Sequence, residues 1–270
     1  MPLAVCATPI GNLEDVTLRV LAELAAADVV LCEDTRHTRG LLERHGVKAR
    51  LLSYHEHNEA RRTTELLPRL EAGERVALVS DAGLPGVSDP GARLVRAALD
   101  AGLDVTVLPG PSAVETALVA SGLVAEQYRF VGFLPRGEKR LAALWDELRD
   151  WPWPAVGFES PQRLPATLRS LAAADPEREV AVCRELTKRF EEVVRAAAAE
   201  LADRFAAPPK GEITLVLGPA SEVGTGVEGE EQALAAVAEL VGAGVPRRRA
   251  VDIVSSLVGI PRNRLYSRSL

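Results

Sequence analysis

The chain has 270 residues, of which 47% are hydrophobic, 26% charged and only 4% aromatic, so one or two soluble domains with an aliphatic core are expected. A formal charge of −6 argues against a generic coat for nucleic acid, but the charge is unevenly spread. Residues 241–270 hold six arginines against Asp252, a net of +5, which leaves −11 on the first 240, and an acidic body with a basic end suggests a partner that carries phosphates.

In the first half, short apolar runs alternate with helical patterns. Strands are predicted at Leu3–Ala7, Val29–Cys32, Arg50–Ser53, 75–80 and 104–108, and helices at Leu18–Ala26, 36–46, 57–72, 90–101 and 112–121. This βαβ rhythm predicts a mostly parallel sheet with helices on both faces. Asp89 reads as the N-cap of the 90–101 helix with Pro90 at its first position, and Ser112 as the N-cap of the next helix. In the second half, strands at Tyr128–Phe133, Ala155–Phe158, Glu179–Cys183 and Ile213–Leu217 alternate with helices at Lys139–Leu148, Leu164–Ala174 and Ala196–Phe205. The shorter connections predict a mixed, partly antiparallel sheet. A polar, Gly-rich linker, Ala220–Gly229, leads to short helices over 230–242, 247–258 and 261–268. The predicted organisation is α/β: two α/β domains, 1–122 and 123–221, and a small helical module, 228–270.

Cys6, Cys32 and Cys183 fall inside or at the ends of these strands. Their separation forms neither a disulfide framework nor a metal spacing, which fits buried, reduced thiols in a cytoplasmic protein. The N-terminus lacks the basic region of a signal peptide, and no apolar run is long enough to span a bilayer, so no membrane partner is expected.

The strand ends carry the chemistry. The run Val76–Val79 stops in a loop, Ser80 to Gly91, with three glycines, two prolines and two aspartates. Glycine lets a backbone approach a ligand closely, and Pro85 and Pro90 preset the loop's shape. Open α/β sheets bind ligands at this end of a parallel strand. The first strand ends in Thr8-Pro9-Ile10-Gly11-Asn12, which is neither a dinucleotide fingerprint nor a P-loop, so a nicotinamide oxidoreductase is disfavoured. The second ends in Glu33-Asp34-Thr35-Arg36-His37-Thr38 and the third in Ser53-Tyr54-His55-Glu56-His57-Asn58. His37, His55 and His57 should therefore converge on one side of the sheet. A His-x-His pair beside carboxylates can bind a metal, contact substrate or act as a general base, or serve as caps and turns. No further ligand has diagnostic spacing, and no metal is expected. In the second half Phe158–Arg163 and Arg184–Glu192 follow strands directly, and the latter reads equally well as a solvated charged face.

Taken in order, nine segments resemble one bacterial family. They are Thr8–Leu13, Glu33–Thr38, Ser53-x-His55-x-His57-Asn58, Ser80-Asp81-Ala82-Gly83-x-Pro85, Ser88–Gly91, Pro109–Ala113, Gly132–Pro135, Arg184–Lys188 and Lys210–Glu212. The family is the ribosomal RNA small subunit methyltransferases of the tetrapyrrole-methylase-like group, and the resemblance spans nearly the whole chain. It implies two α/β domains with S-adenosyl-L-methionine folded into the cleft between them. It also implies a homodimer, and methyl transfer to the ribose 2′-hydroxyl of a cytidine in the decoding region of 16S rRNA. By the same resemblance Asp81, Ala82, Gly83, Val87, Ser112 and Ala113 bind the cofactor. Phe133 and Leu186 line the cleft from the second domain, and Pro9, Ile10 and Gly11 face the methyl group. Two departures stand out. The family's Tyr-Glu-Ser-Pro-His-Arg reads Phe158-Glu159-Ser160-Pro161-Gln162-Arg163 here, without the aromatic hydroxyl and the imidazole on which a proton-transfer role at 158 or 162 would depend. One basic position after Pro135 is Gly137.

A ribose hydroxyl is a poor nucleophile at neutral pH, so a base or a stabilising cation should assist. His37, His55 and Glu33 are the candidate bases, with Lys188 and Arg36 as candidate stabilisers. The basic module places Arg247, Arg248, Arg262 and Arg264 where they can fork onto RNA phosphates, and Tyr266 where it can stack on a base; a packing module with solvated arginines is the alternative. Two rival functions remain: methylation of a tetrapyrrole, against which the arginine-rich module argues, and a non-catalytic protein that binds cofactor and RNA. The acidic body favours the assembled small subunit over naked rRNA as the substrate.

Overall fold

Alternate residues of the first strand part to opposite sides of a sheet, as a period of two requires. In the computed structural model, which describes residues 2–86, 89–220, 227–258, 260 and 262–269, β1 (Leu3–Cys6) sends Leu3 and Val5 to one core and Ala4 and Cys6 to another. Both cores exist because helices cover both faces. On one side lie α3 (Glu59–Glu71) with Leu66 and Leu70, and α4 (Ala92–Asp100) with Leu94 and Ala98. On the other lie α1 (Leu18–Ala26) with Val20 and Leu24, and α2 (Thr35–Arg44) with Leu42. The remaining strands are β2 (Val29–Cys32), β3 (Leu51–Ser53), β4 (Val76–Leu78) and β5 (Val105–Leu108), and their order is β3-β2-β4-β1-β5 with every pair parallel. A parallel sheet brings all five carboxyl ends, and the loops that leave them, to one edge.

The second sheet comprises β6 (Arg129–Phe133), β7 (Ala155–Glu159), β8 (Glu179–Arg184), β9 (Glu192–Ala197) and β10 (Ile213–Leu217), in the order β6-β7-β10-β8-β9. Only β6 and β7 run parallel; the other neighbours are antiparallel, in keeping with the mixed sheet expected from short connections. One face packs on α6 (Glu138–Leu148), α7 (Leu164–Ala174) and α8 (Ala198–Arg204) through Leu144, Trp145, Leu168 and Leu201. The other face presents Val156, Ala181, Cys183 and Val216 to α5 (Ala113–Ser121), whose Val114, Ala117 and Leu118 share that core with Ile10 and Leu186. The helix that follows the last strand of the first sheet thus seats on the second sheet and fixes one against the other.

A third group, α9 (Val227–Gly242), α10 (Arg247–Val258) and α11 (Arg262–Arg268), closes around Ala233, Val237, Ala250, Val251, Val254, Ile260 and Leu265. No described helix is long and apolar enough to cross a membrane.

Two local expectations need correction and a third is met by position alone. Ala196 and Ala197 end a strand, Glu192–Ala197, rather than start a helix. Ala196 pairs with Val180 and Ala197 with Glu179, so pairing to β8 overrides the helical preference of the alanine run, and α8 begins only at Ala198. Asp89 does not cap α4: the helix starts at Ala92 with Gly91, at φ +139°, in the cap position, so Asp89 stands two residues too early to cap it. Ser112 does hold the cap position of α5, but its hydroxyl bonds the Glu115 carboxylate rather than a backbone amide.

Candidate functional site

The loops after β1 and β4 are tied together. Thr8 and Gly83 exchange two backbone hydrogen bonds, of 2.8 Å and 3.1 Å, and the Thr8 hydroxyl donates to the Ser80 carbonyl at 3.0 Å. Gly83 has φ +78°, a conformation that costs any other residue strain. Beside this knot opens a cleft of about 930 Å³ between the carboxyl ends of β1, β4 and β5 and the second sheet. Ile10, Ala82–Leu84, Asp89 and Pro109–Thr116 line it from the first sheet's side. Tyr128, Phe130, Phe133, Phe158–Pro161 and Gly211–Thr214 line it from the other.

The back of the cleft is a seam. A methyl group at Gly11 would fall 2.6 Å from Lys188 Cγ, 2.8 Å from Thr187 Oγ1 and 2.9 Å from the Leu186 carbonyl, so the residue must lack a side chain for the 185–188 loop to reach it. Across that loop Gly211 faces Glu185 just as closely. Glu185 and Thr187, at φ +52° and +64°, are the only described non-glycine residues with positive φ. Such strain persists only where neighbours impose it. Here the Asn12 N–H donates to Thr187 Oγ1 at 2.9 Å, and Lys188 Nζ lies 2.9 Å from both Glu185 Oε1 and Glu212 Oε2.

Titration is perturbed around the β4 loop. Burial, then the neighbouring Glu33, pushes the Asp89 carboxyl up to about 6 against the hydrogen bond from Ser80. Partial burial and Asp81 raise Glu33, which His55 partly offsets. On the far wall Glu159 is fully occupied: Ser160 N–H and the Thr167 hydroxyl donate to it, and Arg163 pairs with it at 3.3 Å. Burial raises all three thiols, Cys6 and Cys183 to about 12, so none supplies a thiolate near neutral pH.

The structure brings Ala82, Gly83, Ser112, Ala113 and Phe133 together on the cleft wall, with Ile10. Pro9, Asp81 and His37 line a separate, water-sized pocket behind it, where Asp81 accepts the Asp34 N–H at 3.1 Å. Leu186 is buried behind Ile10, in the core under α5. Val87 lies outside the described residues. Glu33, His55 and Lys188 do not line the cleft. His55 Nε2 sits 3.1 Å from Asn58 Nδ2, while its Nδ1 is buried with no hydrogen-bond partner. The charge of Lys188 is matched by two carboxylates, which leaves little of it for a developing alkoxide. Arg36 is 87% exposed at its side chain and bidentate to Asp34. In the module Arg248 is exposed and Arg247 half-buried, Arg262 pairs with Asp252 at 2.7 Å, and the side chain of Arg264 lies outside the described residues. Tyr266 is partly buried and packs on the module's own core. Among the described residues no group of three or more His, Cys, Asp or Glu side chains is placed to hold a metal ion.

Sequence patterns do not single out Glu115, Tyr128, Phe130 or Thr214, all of which line the cleft. The Ser112-x-x-Glu115 spacing of a capping box is the one signal that marks Glu115. Ser112 and Tyr128 both bond its carboxylate and hold it below the usual range, against the opposing effect of burial.

The family model of tetrapyrrole (corrin/porphyrin) methylases matches residues 2–202. The ribosomal RNA small subunit methyltransferase I of Mesorhizobium japonicum is 44% identical over 272 residues, covering 99% of this chain and 91% of that protein. The protein of the same name from Thermotoga maritima is 44% identical over 216 residues, covering 80% of this chain and 97% of its own. Among solved structures, uroporphyrin-III C-methyl transferase from Thermus thermophilus complexed with S-adenyl homocysteine shares the fold. Its TM-score is 0.59 at 19% identity, over 81% of this chain and 97% of that one. The chain belongs to the tetrapyrrole methylase family, in the company of the ribosomal RNA small subunit methyltransferases I.

Proposed function

We propose that this member of the methylase family transfers a methyl group from S-adenosyl-L-methionine to the ribose 2′-hydroxyl of a cytidine in the decoding region of 16S rRNA. The observation that carries the reading is the cleft of about 930 Å³, in a chain 44% identical to a ribosomal RNA methyltransferase over nearly its full length. The cleft fits such a cofactor. Its volume is that of small-molecule sites, roughly 300–1,000 Å³. Its aliphatic and aromatic walls suit a nucleoside, and the carboxylates of Asp89, Glu115 and Glu212 suit a cationic ligand. Ala82, Gly83, Ser112 and Ala113 are the residues proposed to hold it.

The bound cofactor supplies a methyl on a sulfonium, an electrophile that needs no further activation. The protein's task is alignment of the incoming hydroxyl with that methyl. The Thr8–Asn12 loop, pinned to Gly83 on one side and to Thr187 on the other, forms a rigid edge for that purpose. Glu33, His37 and His55 lie at the strand ends outside the cleft, so removal of the ribose proton is not assigned to them. Arg36, Arg247, Arg248, Arg262 and Arg264 are proposed phosphate contacts, and a cytoplasmic homodimer acting on the assembled small subunit is the proposed working state. The domain limits are proposed as 1–122, 123–221 and 228–270.

The test is transfer of label from cofactor to small subunits that lack the modification, with the label then mapped. A 2′-O-methyl on a decoding-region cytidine is expected. Cofactor binding without transfer to subunits, together with methylation of a tetrapyrrole, would overturn the reading.

A further inference from the structure

The strand that walls the cleft carries an irregularity with a consequence for the substrate. Phe130 pairs with Val156 and Phe133 with Phe158, so three steps along β6 match two along β7. One residue is extra, and Gly132, at φ +71°, supplies the turn that accommodates it. In a regular strand, residues three apart face opposite sides. The bulge reverses the alternation, and both rings meet Phe158 edge-on, with centroids 5.1 Å away for Phe130 and 5.4 Å for Phe133. Phe133 is thereby brought to the cleft wall while remaining 65% exposed. A large apolar ring held at the rim of a cleft by a bulge is not an ordinary surface side chain.

Immediately beyond it the chain runs Arg136-Gly137-Glu138-Lys139-Arg140 into α6. Arg136, Lys139 and Arg140 are exposed, and the described residues offer none of them an ion-pair partner. Many arginines of the acidic body, by contrast, are matched by carboxylates, as Arg129 is by Glu147 and Arg163 by Glu159. A ring with an open face beside three unmatched cations is the pairing that proteins use to hold an unstacked nucleotide, with the base on the ring and phosphates on the cations.

We propose that Phe133 is the platform on which the base of the target nucleotide stacks once that nucleotide has left the RNA, while Arg136, Lys139 and Arg140 hold the flanking phosphates. The inference rests on the reading of the cleft as an RNA methyltransferase site. It follows from access: a ribose hydroxyl inside a stacked strand cannot reach a methyl donor deep in a cleft, so the nucleotide must swing out and needs a surface to replace its lost stacking. It moves Phe133 from the cofactor's side of the cleft to the substrate's.

The experiment is methyl transfer to unmodified small subunits by the full-length wild type, Phe133→Ala, Phe133→Trp and the triple variant Arg136→Ala/Lys139→Ala/Arg140→Ala, with cofactor affinity measured by calorimetry for each. Phe133→Ala should lose roughly 10- to 100-fold in kcat/KM, the range expected for one base stack, with cofactor affinity unchanged. Phe133→Trp should retain most activity. The triple variant should raise KM and flatten its dependence on salt. A parallel fall in cofactor affinity would make Phe133 a cofactor contact and overturn the proposal, as would full activity of Phe133→Ala. No transfer by the wild type, with cofactor bound, would overturn the function itself, an outcome separate from failure of the platform alone.

Discussion

Gly11 and Leu186 meet so closely that a single added methyl would stand 2.9 Å from the Leu186 carbonyl oxygen. The contact joins the loop after the first strand to the strained loop after β8, and so joins the two sheets at the back of the cleft. A Gly11→Ala substitution cannot be absorbed by a flexible side-chain end, because the obstacle includes backbone. Overpacking of this kind costs about 1–3 kcal/mol. The expected result is a lower midpoint in thermal unfolding and a larger loss of methyl transfer than of cofactor affinity. An unchanged midpoint with full turnover would show that the seam yields freely.

Gly83 presents the opposite case. A methyl there would meet the Pro111 carbonyl no closer than 3.7 Å, so space is available. What an alanine meets is the backbone angle of +78°, at a cost of about 1–2 kcal/mol. Gly83→Ala should therefore fold, lose about that much stability in urea titration, and bind cofactor more weakly because the exchanged bonds with Thr8 are disturbed. Cofactor affinity equal to wild type by calorimetry would remove Gly83 from the binding loop.

Much of this was legible in the residues because local rules and tertiary demands agree. The apolar runs Leu3–Cys6, Val29–Cys32 and Val76–Leu78 are buried in a parallel sheet, and their polar ends lead to one edge. Glu192–Ala197 was not legible: the strand is an edge, paired only with β8, and its alanines favour helix when read alone. The surroundings of His55 and Lys188 escaped for a different reason. Residue type and position at a strand end do not reveal that Asn58 takes one imidazole nitrogen or that Glu185 and Glu212 flank the ammonium. Nor does spacing reveal the bulge that turns Phe133 into the cleft, since Gly132 reads equally well as an ordinary strand interruption.

The raised Asp89 carboxyl gives a pH dependence with a definite sign. Its ordinary value is 3.8 and its folded value is about 6. Between these the unfolded chain has released its proton while the folded chain retains it. The unfolded state then binds fewer protons, so stability falls as pH rises through roughly 4 to 6 and levels above it. Asp89→Asn should remove this decline and be more stable than wild type above pH 6, relative to their difference at pH 4. Paired urea titrations at pH 4, 5, 6 and 7 measure it, and parallel curves for the two proteins would show that Asp89 ionises normally. Cofactor affinity should move the other way, rising through the same range as Asp89 becomes an anion facing a cationic ligand.

The basic module separates binding of RNA from binding of cofactor. Its core is built from its own residues, Ala233 to Leu265, while the cleft is lined only by residues 10–214. Deleting 225–270 should therefore leave calorimetric cofactor affinity unchanged and weaken association with small subunits. Each lost phosphate contact should lower the slope of log affinity against log salt by roughly 0.7–0.9. The arginines are not equivalent within this. Arg248 is exposed and carries no ion pair among the described residues, whereas Arg262 is already matched by Asp252 at 2.7 Å. Arg248→Ala should thus reduce subunit binding and its salt dependence more than Arg262→Ala, whose first effect is on the packing of α11 against α10. Sedimentation with subunits at two salt concentrations distinguishes them. Equal small effects from both substitutions, with the deletion silent as well, would mean that the module's charge is solvated and that the RNA is held by the cleft rim alone.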